Sequence, residues 1–218
     1  PAEEGGGGKI YMVRAGLFDD VDIVLHWHAG DYNMADAVSS LANISTKFRF
    51  RGISAHAAGA PERGRSALDG VEAMNHMVNL MREHVPEATR MHYVTTYGGA
   101  APNVVPDFTE VYHYVRHPDA AVVRELFERL VDTAEGAALG TETQMEYEII
   151  NGVYNLLPNV TLAQVIHANL TTVGGVEYTD EEMRFAEVIR ESLPEDARPM
   201  SAASEVKPFA APTGARRG

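Results

Sequence analysis

The 218-residue sequence contains no cysteine, so a disulfide framework and thiolate metal ligands are excluded. Positive charge is also scarce, since 18 Lys and Arg stand against 31 Asp and Glu, and the formal net charge is −13. This balance argues against nucleic acid or an anionic membrane as a partner. No apolar run is long enough to span a membrane, and no basic, apolar leader opens the sequence. We therefore expect a cytoplasmic protein.

The beginning of the sequence places two adjacent carboxylates, Glu3 and Glu4, directly before four glycines at positions 5–8. Glycine runs are entropically costly and are typical of places where the backbone turns sharply or approaches another group closely. Neighbouring carboxylates in a confined site repel unless a cation or a proton separates them. The arrangement suits a metal site in which one Glu binds the ion and the other transfers a proton. A flexible acidic terminus is the alternative interpretation.

The middle of the sequence shows the β-α-β-β-α-β order of a ferredoxin-like domain. Alternating residues predict four strands, over residues 47–53, 92–97, 108–116 and 143–150. Apolar residues at helical spacing predict two helices, one capped by Ser66 and one that Asp119 can cap, which ends near Gly136 or Gly140. The fold alone would permit an RNA-binding module, but the aromatic-basic motif of such modules is absent and the charge is unfavourable.

The two ends of the chain show different patterns. Residues 21–28 alternate, which predicts a strand with His26 and His28 on one face. Two helices are predicted after residue 151, the first from Thr161 to Gly174 and the second from Thr179 to Pro194. Residues 201–218 are rich in Ala and Pro, have no period, and are expected to be loose.

The organisation that follows has three parts. Residues 1–45 and 151–218 flank an inserted module at residues 46–150.

Four motifs occur in order: Glu-Glu-Gly-Gly-Gly-Gly from Glu3, then His28, then Ser-Ala-His-Ala-Ala around His56, then Gly-Gly-Ala-Ala-Pro-Asn-Val-Val-Pro-Asp containing Asn103. Together they resemble the M20 family of metal-dependent amidohydrolases and peptidases, and within it the branch of the B-type subunit of aminobenzoyl-glutamate hydrolase. The resemblance implies that both flanking segments belong to a catalytic α/β domain, into which the ferredoxin-like module is inserted as a lid or dimerisation domain. Family members carry further metal ligands before the Glu-Glu motif and a last His ligand after the point where this sequence stops. We therefore expect the chain to be an internal part of an enzyme.

The resemblance also implies roles for the residues of the metal site. Glu3 is the general base that activates a metal-bound water, and Glu4 is a metal ligand. His28, 24 positions after Glu4, fits the family's histidine ligand, with His26 as its competitor on the same predicted strand face. Imidazole suits zinc and other first-row ions, and two divalent ions, Zn or Mn, are expected per subunit of the complete enzyme.

The resemblance also implies that three residues of the inserted module take part in catalysis or substrate binding. His56 polarises the scissile carbonyl and stabilises the oxyanion, generally in the active site of the partner subunit of a homodimer. Asn103 and Arg116 bind substrate, although a surface salt bridge explains Arg116 almost as well. The string His117-Pro118-Asp119 has the form of the family's upstream metal motif. Its position makes it a poor match, and Asp119 as a helix cap explains it better.

The implied activity is hydrolysis of the amide bond of an N-acyl or aminobenzoyl amino acid, for which aminobenzoyl-glutamate is the suggested substrate. A dipeptidase or another N-acyl-amino-acid amidohydrolase of the same fold is the runner-up. A catalytically silent fragment that serves only self-association is an alternative from a different class. Two credible ligands, Glu4 and His28, are fewer than the three that a catalytic zinc usually has. The isolated chain is therefore expected to hold a divalent ion weakly or not at all.

Overall fold

The computed structural model describes residues 7–28, 30, 32–194 and 204–210. The contacts within the chain divide it into two units. The first consists of Pro1–Asp19, Ser40–Leu156 and Arg217–Gly218, and the second of Asp20–Ser39 and Leu157–Arg216. The domain limits drawn from the sequence, at residues 45 and 150, remain predictions.

A four-stranded antiparallel sheet forms the centre of the first unit, with the strand order β2-β3-β1-β4. Its strands and helices follow one another in the predicted β-α-β-β-α-β order, after a short helix that the sequence pattern did not predict. The elements are α1 (Gly8–Arg14), β1 (Ala42–Arg51), α2 (Ala67–Met81), β2 (Arg90–Tyr97), β3 (Phe108–His117), α3 (Ala120–Thr141) and β4 (Gln144–Val153). Each strand includes most of its predicted range, and β1 begins five residues before the predicted position 47.

One face of this sheet is buried under α2 and α3, and the other face is open. The pleat sends alternate side chains to opposite faces, so β1 and β3 each place every second residue in the core. The buried set is Phe48, Phe50, Val111, His113 and Val115 from the strands with Val71, Met74, Val78, Leu126 and Leu130 from the helices. The residues between them on the strands form the open face, which is charged and aromatic.

Both predicted helix caps are present. The Ser66 hydroxyl accepts a hydrogen bond from the Asp69 amide at 3.2 Å, and the Asp119 carboxylate accepts one from the Ala121 amide at 2.7 Å. Helix α3 continues through both glycines at which it was expected to end. It stops at Thr141, where Glu142 adopts a left-handed conformation with φ 53°.

The second unit contains α4 (Val160–Val173) and α5 (Asp180–Arg190), as the helical pattern predicted. Asn159, rather than Thr161, caps α4, because its side chain accepts from the Leu162 amide at 3.0 Å. Thr179 and Glu182 form a capping box at the start of α5. None of the helices in the described ranges combines the length and the apolar character that crossing a bilayer requires.

The predicted strand over residues 21–28 is wrong. These residues form neither a strand nor a β-bridge in the described part of the chain, and the side chains of Leu25 and Trp27 are exposed. Alternation makes a strand only where an adjacent strand supplies hydrogen-bond partners. The expectation of a loose segment over residues 201–218 falls mostly outside the described residues. Within the described part, Val206 forms a parallel bridge with Asn33, and the Lys207 amide donates to the Asn33 carbonyl at 2.9 Å.

Candidate functional site

Two loops meet at the end of the sheet where β1 stops and β3 begins, and they carry His56 and Asn103. His56 forms an antiparallel bridge with Val104. The Ala57 amide donates to the Asn103 carbonyl at 3.0 Å, and the Val105 amide donates to the carbonyl of residue 55 at 3.0 Å. The structure therefore brings together two residues that the sequence could associate only through their motifs.

The imidazole of His56 is exposed but has a fixed orientation. Its Nδ1 lies 3.2 Å from the Ala58 amide nitrogen and 3.0 Å from the Gly59 amide nitrogen, and it accepts a hydrogen bond from each. A nitrogen that accepts carries no proton in the neutral ring, so the proton is assigned to Nε2. His56 therefore presents an N–H donor at Nε2, the group that hydrogen-bonds a developing oxyanion.

Glycines allow the close approach of these loops. A Cβ on Gly52 would lie 1.9 Å from the Arg65 carbonyl oxygen, and a Cβ on Gly64 would lie 3.0 Å from the Val105 side chain. The base of the loop is closed because Ile53 and Arg65 exchange two backbone hydrogen bonds, of 2.8 and 2.9 Å. Only glycine fits at position 52. This residue therefore allows the close contact that closes the base of the loop carrying His56.

The side-chain amide of Asn103 makes no hydrogen bond within the described residues, and the residue is exposed. Its backbone carbonyl is occupied by Ala57, which anchors the loop and leaves the amide group available to a ligand. Its two N–H donors and one carbonyl oxygen suit a carbonyl or a carboxylate.

Arg116 lies at the opposite end of the same sheet, near the end of β3. Eight residues separate it from Phe108 at the start of that strand. At 3.3 Å per residue this is about 26 Å, which is longer than a small amide substrate. Arg116 is half-buried, its guanidinium lies over the Tyr114 ring at 5.2 Å, and its buried Nε has no hydrogen-bond partner in the described residues. The structure thus places Arg116 at the other end of the sheet from the loops of His56 and Asn103.

Between these two ends, the open face carries an ion-pair network. Glu110 accepts hydrogen bonds from Lys47 at 2.9 Å, from Arg49 at 2.8 Å and from Thr96 at 2.7 Å. Arg49 also pairs with Glu148 at 2.7 Å. Partial burial alone would raise the pKa of Glu110, but the hydrogen bonds from Lys47, Thr96 and Arg49 outweigh it and lower this pKa to about 2. These charges therefore satisfy one another.

The metal-site residues lie in other parts of the chain. Glu3 and Glu4 are outside the described residues. His28 and its competitor His26 are both exposed and stand outside any strand. Within the described ranges, no group of three or more His, Asp or Glu could hold a metal ion. The assignments of Glu3, Glu4 and His28 therefore remain predictions.

The His117-Pro118-Asp119 string has the structural role expected of it. The Asp119 carboxylate caps α3, and the Asp119 amide donates to Nδ1 of His117 at 2.9 Å. Both side chains are therefore occupied in closing the turn between β3 and α3.

Two residues with unusual environments were not singled out from the sequence. His113 is buried between Phe48 and Tyr93 and lies 3.2 Å from the Asn75 amide oxygen. Arg90 stands directly opposite Arg116 across the β2–β3 pair. Alternation in the sequence places each on its face, but only the strand register shows which residues are opposite each other.

Comparisons with known proteins establish the class. Residues 39–142 match the family described as peptidase dimerisation domain, M20_dimer. This range runs from the start of β1 through α3 and contains His56, Asn103 and Arg116. The match confirms the resemblance to the M20 family.

Individual relatives agree with this class. The chain is 43% identical over 199 residues to the B-type subunit of p-aminobenzoyl-glutamate hydrolase from Escherichia coli (strain K12), a match that covers 91% of this chain and 41% of that protein. It is 31% identical to Xaa-Arg dipeptidase of Mus musculus over 84% of this chain and 42% of that protein. The crystal structure of aminobenzoyl-glutamate utilization protein from Klebsiella pneumoniae superposes with a TM-score of 0.60 at 25% identity, covering 99% of this chain and 49% of that one. The chain thus spans less than half the length of these relatives.

Proposed function

We propose that the complete protein is a metal-dependent hydrolase that cleaves the amide bond of an N-acyl or aminobenzoyl amino acid, with aminobenzoyl-glutamate as the substrate. The observation that carries this proposal is the 43% identity to one of the subunits of an aminobenzoyl-glutamate hydrolase across 91% of the chain. The paired loops of His56 and Asn103 support it, because they present two hydrogen-bond donors at one end of the sheet.

In this proposal the two flanking segments belong to a catalytic α/β domain, and the four-stranded module is its inserted lid. The metal is held by Glu4 and His28 together with ligands outside this chain. One carboxylate and one imidazole are the donor types that zinc or manganese accepts, so these residues fit such an ion, two of which are expected per complete subunit. When bound, the ion supplies Lewis acidity and makes the attacking water more acidic.

The chain's own residues then divide the remaining chemistry. The Glu3 carboxylate accepts the proton of the attacking water and later delivers it to the leaving amine nitrogen. As the scissile carbonyl oxygen becomes negative, Nε2–H of His56 donates to it, since Nδ1 is already occupied by two backbone amides. The Asn103 amide binds the substrate beside His56, and Arg116 binds the substrate carboxylate.

The length of β3 supports a shared site. His56 and Asn103 lie on loops at the Phe108 end of the strand, and Arg116 is about 26 Å from Phe108 along it. This separation favours a site in which the three residues come from two lids. We place His56 and Asn103 of one subunit and Arg116 of the other in each active site of a homodimer joined through the lid.

The sheet has two edges at which the lids could pair. The β4 edge carries Glu146 and Glu148, which pair with Arg51 and Arg49, and charged side chains of this kind oppose strand pairing at an edge. Beyond its first residue, Arg90, the β2 edge carries no Lys, Arg, Asp or Glu, and Val94 and Tyr97 on it are exposed. An exposed edge without charge is a pairing surface, so β2 is the proposed dimer contact.

A complementation experiment tests the shared site. Full-length His56→Ala and full-length Glu3→Gln are each expected to be inactive as homodimers. Their heterodimer contains one site with both native residues and should recover partial activity. Verified heterodimers with no activity above either parent would show that His56 acts within its own subunit or has no role.

A dipeptidase is the second candidate, supported by the 31% identity to Xaa-Arg dipeptidase. Comparison of turnover on p-aminobenzoyl-glutamate and on dipeptides with a C-terminal arginine separates the two. A faster dipeptide reaction would replace the first candidate. A full-length protein that dimerises and hydrolyses neither would instead support a role in self-association alone.

A further inference from the structure

The end of the open face that carries Arg116 has a row of polar side chains across three strands. Arg116 on β3 is directly opposite Asn43 on β1 and directly opposite Arg90 on β2. Directly opposite residues lie on the same face, with Cβ atoms about 4.5–5.5 Å apart. The two arginines therefore leave the sheet side by side on the same face.

Within the described residues, no carboxylate neutralises these two arginines. Arg116 lies over the Tyr114 ring, and its Nε and the Asn43 side-chain oxygen are buried without partners in the described residues. Arg90 uses Nη1 on the carbonyls of Thr89 at 2.7 Å and residue 87 at 3.1 Å. No carboxylate of the described chain forms an ion pair with either guanidinium, and Nε and Nη2 of Arg90 remain without a partner there.

The pKa of a neighbouring histidine, His92, is affected by the same excess of positive charge. His92 follows Arg90 by two residues on the same strand face. Burial and then the charges of Arg116, Arg82 and Arg90 lower the pKa of His92. The chain as a whole is strongly acidic, so an uncompensated cationic patch is a local property of this end of the sheet.

The other end of the same face provides the contrast. There Arg49 pairs with Glu110 and Glu148, and Arg51 pairs with Glu146 at 3.0 Å. Like charges directly opposite on neighbouring strands destabilise a sheet, and a bound anion removes that repulsion. An arginine can hold a carboxylate through two parallel hydrogen bonds, so two adjacent arginines suit a ligand with two carboxylates.

We infer that Arg90 is a specificity-determining residue, which with Arg116 binds a substrate carrying two carboxylates, such as an N-acylated glutamate. This rests on the proposed function for the role of Arg116 and adds a partner for the second carboxylate. A monocarboxylate substrate would engage one arginine and leave the other unpaired. The pair therefore selects an acidic amino acid over a neutral one of equal size.

The test compares p-aminobenzoyl-glutamate with p-aminobenzoyl-glutamine, which differ by one charge. Binding of each to the metal-free, full-length protein, which is not expected to turn the ligands over, is measured by calorimetry at fixed ionic strength, because exposed charges are screened by salt. The wild-type chain should prefer the glutamate ligand by about 10- to 100-fold, the range expected for one charge-assisted hydrogen-bonded pair. Arg90→Gln should abolish this preference while changing affinity for the glutamine ligand less than about 3-fold, and Arg90→Lys should restore part of it.

Arg51→Gln is the matched control, since it removes an arginine from the same face at the paired end of the sheet. It should leave the preference intact. An equal effect of Arg90→Gln and Arg51→Gln, an unchanged preference in Arg90→Gln, or no binding of either ligand would overturn the inference.

Turnover by the metal-loaded, full-length protein separates this inference from the proposed function. An Arg90-dependent preference in binding without hydrolysis of either amide would reject the proposed function and keep the arginine pair. Hydrolysis of both amides at equal rates, with or without Arg90, would keep the function and reject the pair.

Discussion

The buried histidine of the lid, His113, should make the stability of the sheet depend on pH between pH 7 and pH 5. Only 1% of its surface is exposed, its ring lies edge-on to Phe48 at 5.7 Å, and its Nε2 is 3.2 Å from the Asn75 amide oxygen. Burial, with a further contribution from the charge of Arg82, lowers the pKa of His113 to about 3. The native ring is therefore neutral at physiological pH.

The sign and size of the effect follow from the difference between the folded and unfolded pKa values. The unfolded ring binds a proton below its ordinary value of 6.5, whereas the folded ring stays neutral to about 3. Between these limits the unfolded state binds more protons, so stability is complete above pH 6.5 and is lost as the pH falls. At 1.36 kcal/mol per pH unit, the loss between pH 7 and pH 5 is about 2 kcal/mol.

Urea unfolding followed by far-UV circular dichroism measures this loss. His113→Phe keeps a ring of similar shape without a titrating group, and it should remove about 2 kcal/mol of the pH dependence whatever its effect on stability at pH 7. His92→Gln is the control, because it removes the other histidine with a lowered pKa and leaves His113 in place. If the wild-type and His113→Phe proteins lose equal stability between pH 7 and pH 5, the buried neutral histidine is not the cause.

Three other outcomes follow from the structure. Glu110→Gln should lower the free energy of unfolding by about 2 kcal/mol at pH 7. The difference should disappear as the pH falls from 4.5 to about 2, because a carboxylate with a lowered pKa stabilises the fold only while it is ionised. Urea titrations across this pH range check it. Gly70→Ala should lower the free energy of unfolding by about 1–3 kcal/mol, because its Cβ would lie 2.5 Å from the Phe50 ring. The Cβ of Gly140→Ala meets nothing within 4 Å, so this change should stabilise α3 by about 1 kcal/mol. Thermal unfolding of the two variants tests this contrast. In the metal-loaded, full-length protein, Glu3→Gln should retain metal and lower the rate about 10²- to 10⁴-fold, and near-normal turnover would exclude Glu3 as the base.

Local signals in the sequence predicted most of the lid. Capping residues such as Ser66 and Asp119 act within three positions, and the alternation of core residues is a property of each strand alone. The strand over residues 21–28 could not be decided in this way, because alternation does not show whether a hydrogen-bonding neighbour exists. Helix α3 likewise passed two glycines, one of which, Gly140, has no side chain near its Cβ position. In α3 the burial of Ala137 and Ala138 in the core outweighed the local preference of the glycines.

The residues of the candidate site remain predictions from the sequence, and the geometry of the site could not be predicted from it. Motifs pointed to His56 and Asn103 and the family resemblance to Arg116, but the antiparallel register is a long-range property that places Arg116 opposite Arg90, at the other end of β3 from Phe108. The tautomer of His56 also depends on the backbone amides of residues 58 and 59, whose directions are set by the loop. These features arise from pairing between distant segments, which periodicity does not contain.

The separation along β3 also divides binding from chemistry under the proposed two-fold arrangement. Arg90 and Arg116 belong to one lid, so a monomer retains the complete anion-binding pair. His56 and Asn103 reach that substrate only from the second lid, so a monomer lacks the oxyanion donor. A full-length variant made monomeric by a charge on the β2 edge, such as Val94→Lys, should therefore keep its affinity for p-aminobenzoyl-glutamate within about 3-fold and lose most of its turnover, by about 10²-fold or more. Equal losses of affinity and turnover would mean that both sets of residues act within one subunit and would refute the two-fold arrangement.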